Sequence, residues 1–292
     1  MTARKINVRV FRSLVQIVAP IFVVSTMLNV GLTQTLPDIT RHLKNYRFVL
    51  KMLVANFVVA PLLMIAALSF TAFDPALKGG LLIFSLCAGA PFLIKLTQTA
   101  KHDLALGAAV MMLLMVVTVV YTPIALPFVL SGISVDAWAV AKSLLLQLLV
   151  PIAAGMLVVQ FLSNFAKTVQ PWVGWLGNIA LYVLIFATLI GYSPNMLRIF
   201  GTGAILVGLA FVAAAFGIGY LAGAGKDHLE DVGGLGTAQR NTAAGVIIAT
   251  QNFSDHPDVL VMITLANTLG IVMLLFIAKA LSSDNKVETE PV

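Results

Sequence analysis

Charged side chains are missing from four long stretches of the chain: between Lys51 and Asp74, Asp103 and Asp136, Lys142 and Lys167, and Lys167 and Arg198. A helix needs about 20 largely apolar residues to cross a bilayer, and each stretch supplies them. Followed along the whole sequence, the apolar pattern predicts nine spans, near residues 10–33, 48–70, 78–101, 103–130, 137–161, 173–195, 199–223, 231–252 and 258–281. Polar positions concentrate in short connections that carry turn-forming residues. These are Pro37-Asp38, Asp74-Pro75, Ser131-Gly132, Gln170-Pro171, Ser193-Pro194 and His256-Pro257. No soluble domain interrupts the series, and residues 282–292 read as a polar, disordered tail.

Composition excludes a water-soluble fold. Hydrophobic residues make up 60% of the 292, charged residues 10%, and the mean hydropathy is +0.99; a soluble domain carries roughly 25% charged residues. Arg4, Lys5, Arg9 and Arg12 precede an apolar run in the manner of a signal peptide. That run, Ser13 to Thr33, is too long for a signal core and reads as the first span. The single cysteine, Cys87, excludes an internal disulfide and a cysteine-based zinc site. The net charge of +6 reflects loop cations that set orientation and meet anionic lipid, rather than nucleic-acid binding.

With nine spans, the two ends of the chain fall on opposite sides. Seven cations lie with the N-terminus and nine with the C-terminus, which favours a cytoplasmic C-terminus in a multi-pass cell-membrane protein. The remaining two cations, Lys95 and Arg240, fall inside spans.

The same two spans are irregular. One contains Cys87-Ala88-Gly89-Ala90-Pro91, where proline removes a backbone donor and glycine weakens the helix. The other opens with Gly233-Gly234-Leu235-Gly236 and continues into the polar run Thr237-Ala238-Gln239-Arg240-Asn241-Thr242. Small residues and kinks also serve merely to pack membrane helices closely. A pair of interrupted spans, each carrying a cation beyond its break, points further, to a transporter with inverted repeats and a site near mid-membrane. The breaks are expected near Pro91 and Gly236, with the two spans crossing.

All twelve Asp and Glu lie in connections or the tail, as do the four His. An intramembrane cation is costly and faces a cavity when it does not reach the interface. With no carboxylate to neutralise Arg240 or Lys95, a small organic anion, carboxylate-like, is their natural partner. The sequence carries no nucleophile–base arrangement of an enzyme, and no metal or cofactor is expected.

At these spans the chain resembles the bile acid:sodium symporter family. Met27-Leu28-Asn29-Val30-Gly31-Leu32-Thr33 is similar to the motif ending that family's early panel helix. Cys87-Ala88-Gly89-Ala90-Pro91 stands in the place of its first crossover, Tyr121-Thr122-Pro123 matches its Thr-Pro helix end, and Arg240-Asn241-Thr242-Ala243 matches its second crossover. The resemblance implies an all-α polytopic fold over residues 1–292, with inverted repeats and two broken crossing helices. It implies a panel of spans near 10–33, 137–161 and 173–195, and a core of spans near 48–130 and 199–281.

Several positions depart from that pattern. Where sodium-using members place oxygen-bearing side chains, this chain has Leu93, Ile94, Gly107, Met111 and Gly236, with Arg240 in place of glutamine. Sodium, like other hard cations, needs oxygen ligands. The expected function is therefore alternating-access transport of an organic anion without sodium coupling. The alternatives are sodium symport through relocated ligands, or a membrane sensor that binds without cycling. The expected substrate site comprises Arg240, Asn241, Thr242, Lys95, Gln239, Pro91, Asn29 and Asn267.

Overall fold

Proline and aspartate set the boundaries of the helices. The computed structural model describes residues 2–34, 36–130, 136–191, 198–225 and 229–284. Within them α1 covers Thr2–Thr33, α2 Leu36–Leu43, α3 Tyr46–Ser69, α4 Pro75–Leu86, α5 Phe92–Thr99 and α6 Leu104–Val129. Then follow α7 over Ala137–Phe161, α8 Ser163–Gly191, α9 Ala204–Gly223, α10 Glu230–Ala238, α11 Thr242–Asn252 and α12 Pro257–Asp284. Asp74, Asp103 and Asp136 each accept backbone N–H bonds at the first turns of α4, α6 and α7. These loop carboxylates thus occupy donors that a helix start leaves open.

Seven of the helices are long and apolar enough to cross a membrane, namely α1, α3, α6, α7, α8, α9 and α12. The pairs α4–α5 and α10–α11 are each interrupted by a short extended segment. The chain is a polytopic, all-helical membrane protein, with no strand among the described residues.

Two spans carry a widened π turn, Ala55–Val59 in α3 and Leu145–Leu149 in α7. Each ends just ahead of a proline, Pro61 or Pro151. Proline brings no N–H, so the carbonyl four residues back loses its donor, and the wider turn is the local adjustment.

Packing gathers the helices into two groups. α1 lies along α7 and α8, and a Cβ on Gly31 would strike the Ile152 carbonyl, so these backbones touch. The remaining long helices surround the broken pairs, with α9 tight against α10 and α4 against α12. The two groups meet where α6 touches α7, α1 and α7 touch α11, and α8 touches α12.

Three sequence expectations shift. Pro171 does not sit in a turn: it lies inside α8, on an exposed position, and the chain turns at Leu162 instead. Near a membrane edge the carbonyl it frees at Lys167 can meet water, so the helix continues. Residues 282–284 of the expected tail belong to α12, and the rest of it lies outside the described residues, as do the turns at Ser131-Gly132 and Ser193-Pro194. Gly233, Gly234 and Gly236 are helical, and the break falls beyond them at Gln239–Asn241. Their role is close approach: a Cβ on Gly219 would strike the Gly233 carbonyl and the Thr237 hydroxyl, and one on Gly234 would meet the Phe216 ring at 2.7 Å.

Candidate functional site

The two extended segments meet as an antiparallel bridge between Ala88 and Arg240. Here the backbone polar groups that the broken helices leave open find partners in each other and in α6. The Asn241 N–H donates to the Cys87 carbonyl at 2.9 Å. Thr118 accepts from the Ala88 N–H and donates to its carbonyl, both at 3.0 Å, and Thr122 donates to Leu86 O at 3.3 Å. Gly89 adopts φ +75, and a Cβ there would strike the backbone of α6 at Leu114 and Met115. Only glycine satisfies both the left-handed backbone and that close approach.

Asn241 is wholly inside the protein and caps α11, accepting from Ala244 N at 3.1 Å. Its Nδ2 donates to Gly89 O at 2.9 Å. Arg240 is 1% exposed, the largest of the fully buried side chains. Its Nη1 donates to Ser85 O at 3.0 Å in the last turn of α4, and its Cζ lies 5.1 Å from the Phe211 ring centroid. Nε and Nη2 have no protein partner. A guanidinium here meets the carbonyl end of α4, where the helix dipole is negative.

A cavity of about 610 Å³ opens beside the crossover. α1 and α8 wall one side; α5, α12 and the start of α11 wall the other. Of the residues expected from sequence, Asn29, Pro91, Lys95, Gln239, Thr242 and Asn267 line it, whereas Arg240 and Asn241 do not. The Arg240 guanidinium does not open into this cavity. Gln239 and Arg240 lie in extended backbone, where successive side chains point to opposite sides. Gln239 therefore takes the cavity side and Arg240 the interior.

Among the described residues Lys95 is the sole charged side chain in the cavity wall, and its Nζ donates to Gln98 Oε1 at 3.1 Å. Asn29 Oδ1 accepts from Gln170 Nε2 at 2.9 Å, fixing the amide at the end of α1 against α8. The wall also contains Thr26, Gln34, Gln98 and Asn178, which the motif-based reading passed over. The available signal was polarity inside an apolar span, as at Thr26 and Asn178. Thr118 was likewise missed, though it stands one turn before Thr122 on an otherwise apolar helix.

The five positions singled out for lacking side-chain oxygens have mixed surroundings: a Cβ on Gly107 would meet the Thr97 hydroxyl at 2.5 Å. Leu93 and Met111 are wholly buried. A Cβ on Gly236 would meet Val110 at 2.9 Å, Leu93 at 3.3 Å and Met52 at 3.6 Å. Among the described residues, no three His, Cys, Asp or Glu side chains gather to hold a metal ion.

Residues 20–199 match the model of the Sodium Bile acid symporter family. The chain belongs to that family. Its members are transporters rather than enzymes. The matched region includes the first crossover, and the second lies beyond it. Among curated relatives, the chain is 26% identical over 239 residues to a protein of Oryza sativa subsp. japonica named "Probable sodium/metabolite cotransporter BASS2, chloroplastic". That alignment covers 78% of this chain and 55% of the relative. It is 24% identical over 234 residues to Arabidopsis thaliana "Probable sodium/metabolite cotransporter BASS1, chloroplastic", covering 79% and 58%. Arabidopsis BASS3, named in the same terms, is 25% identical over 195 residues, covering 66% and 45%. The chain spans about half the length of the relatives it matches.

Proposed function

We propose that this chain is a secondary transporter of a small, carboxylate-like organic anion that works without sodium coupling. The observation that carries the reading is the cavity beside the crossover, whose wall, among the described residues, combines one ammonium group with several side-chain amides and no carboxylate. Lys95 supplies the charge for an anion, while Gln98, Gln239, Asn178 and Asn267 offer donors and acceptors for its polar groups. α1, α7 and α8 act as the panel and the remaining spans as the core, and rocking of one against the other exposes the cavity to each side in turn. The C-terminus faces the cytoplasm of a cell membrane, in keeping with the excess of cations on that side.

Arg240 takes the electrostatic place of a bound cation. Half-helix carbonyl ends and unwound backbone at a crossover attract positive charge. The guanidinium meets this need from within the chain, bonded to Ser85 O. Leu93 and Met111 bring no side-chain oxygen themselves, and the nearest atoms around Gly236 are those of Val110, Leu93 and Met52.

One observation favours the second reading, sodium coupling through relocated ligands. Asn56 is wholly buried in the π turn of α3; its Nδ2 donates to Thr237 Oγ1 at 3.0 Å and its Oδ1 has no partner. Two measurements separate the readings: uptake in sodium and in choline at equal ionic strength, and thermal stabilisation of purified protein by a panel of carboxylates in the same two salts. Sodium independence requires equal uptake and equal stabilisation in both. A dependence of about tenfold or more, ~1.4 kcal/mol of coupling, would overturn it and direct attention to Asn56.

A further inference from the structure

Arg41, Lys44, Arg47 and Lys51 fall within eleven residues where α2 turns into α3, and residues 39–73 contain no Asp or Glu. All four side chains are exposed, and none makes an ion pair among the described residues. α2 packs against α6, whose Asp103 carboxylate accepts the Ala105 and Leu106 N–H groups of its own helix. Like charges repel, so four cations held together without a carboxylate call for an anion from outside the chain.

The depth of the group indicates which anion. The midpoint of α3, near Val58, lies about 16 Å along the axis from Arg47 and about 10 Å from Lys51. In a hydrocarbon layer about 30 Å thick, Arg47 stands at the edge, and the long Lys51 stem lets its ammonium reach the same level. Tyr46 is exposed here too. Its hydroxyl accepts from Arg47 Nε at 3.3 Å, and the Arg47 Cζ lies 5.9 Å from its ring centroid. A tyrosine so placed belongs at the headgroup level of a bilayer. Below the two cations α3 turns apolar. Val54 follows Arg47 and Lys51 on the same face, with Leu50 beside them, and both apolar side chains are exposed. Positive charge at the phosphate level thus continues straight into a lipid-facing stripe. A soluble anion would use the first part of this surface, whereas a phospholipid uses both.

We propose that the α2–α3 turn is a binding site for an anionic phospholipid. Arg41, Lys44, Arg47 and Lys51 hold its phosphate, and an acyl chain lies along Leu50 and Val54. Clusters of Lys and Arg beside a membrane span attract anionic headgroups in this way. The turn joins the two groups of helices, with α1 in one and α3 in the other, so the bound lipid anchors that joint to its leaflet. The site shares no residue with the cavity that holds Lys95 and does not depend on the transport reading.

Competition between two lipids tests the site. The purified chain is offered equal amounts of phosphatidylglycerol and phosphatidylcholine with identical acyl chains, and the retained lipids are counted by native mass spectrometry. Phosphatidylglycerol should be retained about tenfold more, and it should raise the melting temperature where phosphatidylcholine does not. Arg41→Gln, Lys44→Gln, Arg47→Gln and Lys51→Gln together should abolish both effects. Should that variant not fold, Arg47→Gln with Lys51→Gln carries the same comparison, with a loss of about fivefold or more. Arg41→Lys with Arg47→Lys should keep the preference, because the charge remains. Lys167→Gln with Lys279→Gln, which removes exposed cations from the same side of the membrane, should keep it as well. An unchanged preference in the glutamine variants, or an equal loss in the Lys167 and Lys279 variant, would overturn the site. Displacement of the lipid by glycerol phosphate or inorganic phosphate would also overturn it, marking a site for a soluble anion instead.

Discussion

Asn241 donates to the Gly89 carbonyl at 2.9 Å while its own carbonyl oxygen receives the N–H of Ala244. One amide thereby ties the first broken helix pair to the second and starts α11. Replacing it with alanine removes a cap and leaves a buried carbonyl unsatisfied, a loss of about 2–4 kcal/mol. Asn241→Asp keeps the acceptor for the cap but loses the donor to Gly89. Thermal melting in detergent should therefore rank the wild type above Asn241→Asp, with Asn241→Ala at or below the aspartate variant. Equal melting of the alanine variant and the wild type would show that the crossover is held by other contacts.

Arg240 provides a second test. Methionine at this position keeps much of the apolar stem but removes the charge beside Ser85 and Phe211. Anion uptake should fall by tenfold or more, about 1.4 kcal/mol. Lysine should retain part of it, because a point charge replaces the planar fork. Full activity in Arg240→Met would leave the guanidinium with a packing role only.

Two neighbouring glycines of α9 make a matched pair. On Gly219 a Cβ would strike Gly233 and Thr237, whereas on Gly217 nothing lies within 4 Å. Gly219→Ala should destabilise the protein by about 1–3 kcal/mol through overpacking. Gly217→Ala should be neutral or stabilise by up to about 1 kcal/mol, as alanine is the better helix former. Parallel melting curves check both, and reversed order would contradict the α9–α10 packing.

Lys95 is exposed to the cavity, so its removal should spare folding and change affinity. Lys95→Gln should raise the half-saturating anion concentration about tenfold, ~1.4 kcal/mol, at unchanged thermal stability. Lys95→Arg should stay within a few-fold of the wild type. Uptake measured over a range of anion concentrations separates these outcomes from a loss of maximal rate.

The spans and both interruptions were legible in the sequence because apolar length and proline chemistry act locally. Pro91 and Gly89 marked the first break within a few residues for that reason. The second break lies at Gln239–Asn241, within a few residues of Gly236 as expected, but the glycines do not make it; glycine has two uses and only the neighbouring helix reveals which applies. At Gly233 the neighbour is the backbone of α9. Arg240 was legible as an intramembrane cation, but its direction was not. A one-residue alternation in extended backbone decides whether Gln239 or Arg240 faces the cavity, and that depends on the bridge to Ala88. Gln98 and Asn178 share the cavity wall only because α5 and α8 face each other across it, a matter of tertiary packing.

The π turn of α3 has a geometric outcome. Phe48, Met52, Asn56, Ala60, Met64 and Leu68 are all buried, one at every fourth position. On a regular helix each such step advances the stripe by about 40° around the axis, so five steps would wind it through roughly 200°. The turn at Ala55–Val59 holds an extra residue and sets the phase back by about 100°. About half of the winding is cancelled, and the buried stripe stays nearly parallel to the axis. α3 thus presents a straight seam to its neighbours and an unbroken flank to lipid along its whole length, as a regular helix with this spacing could not.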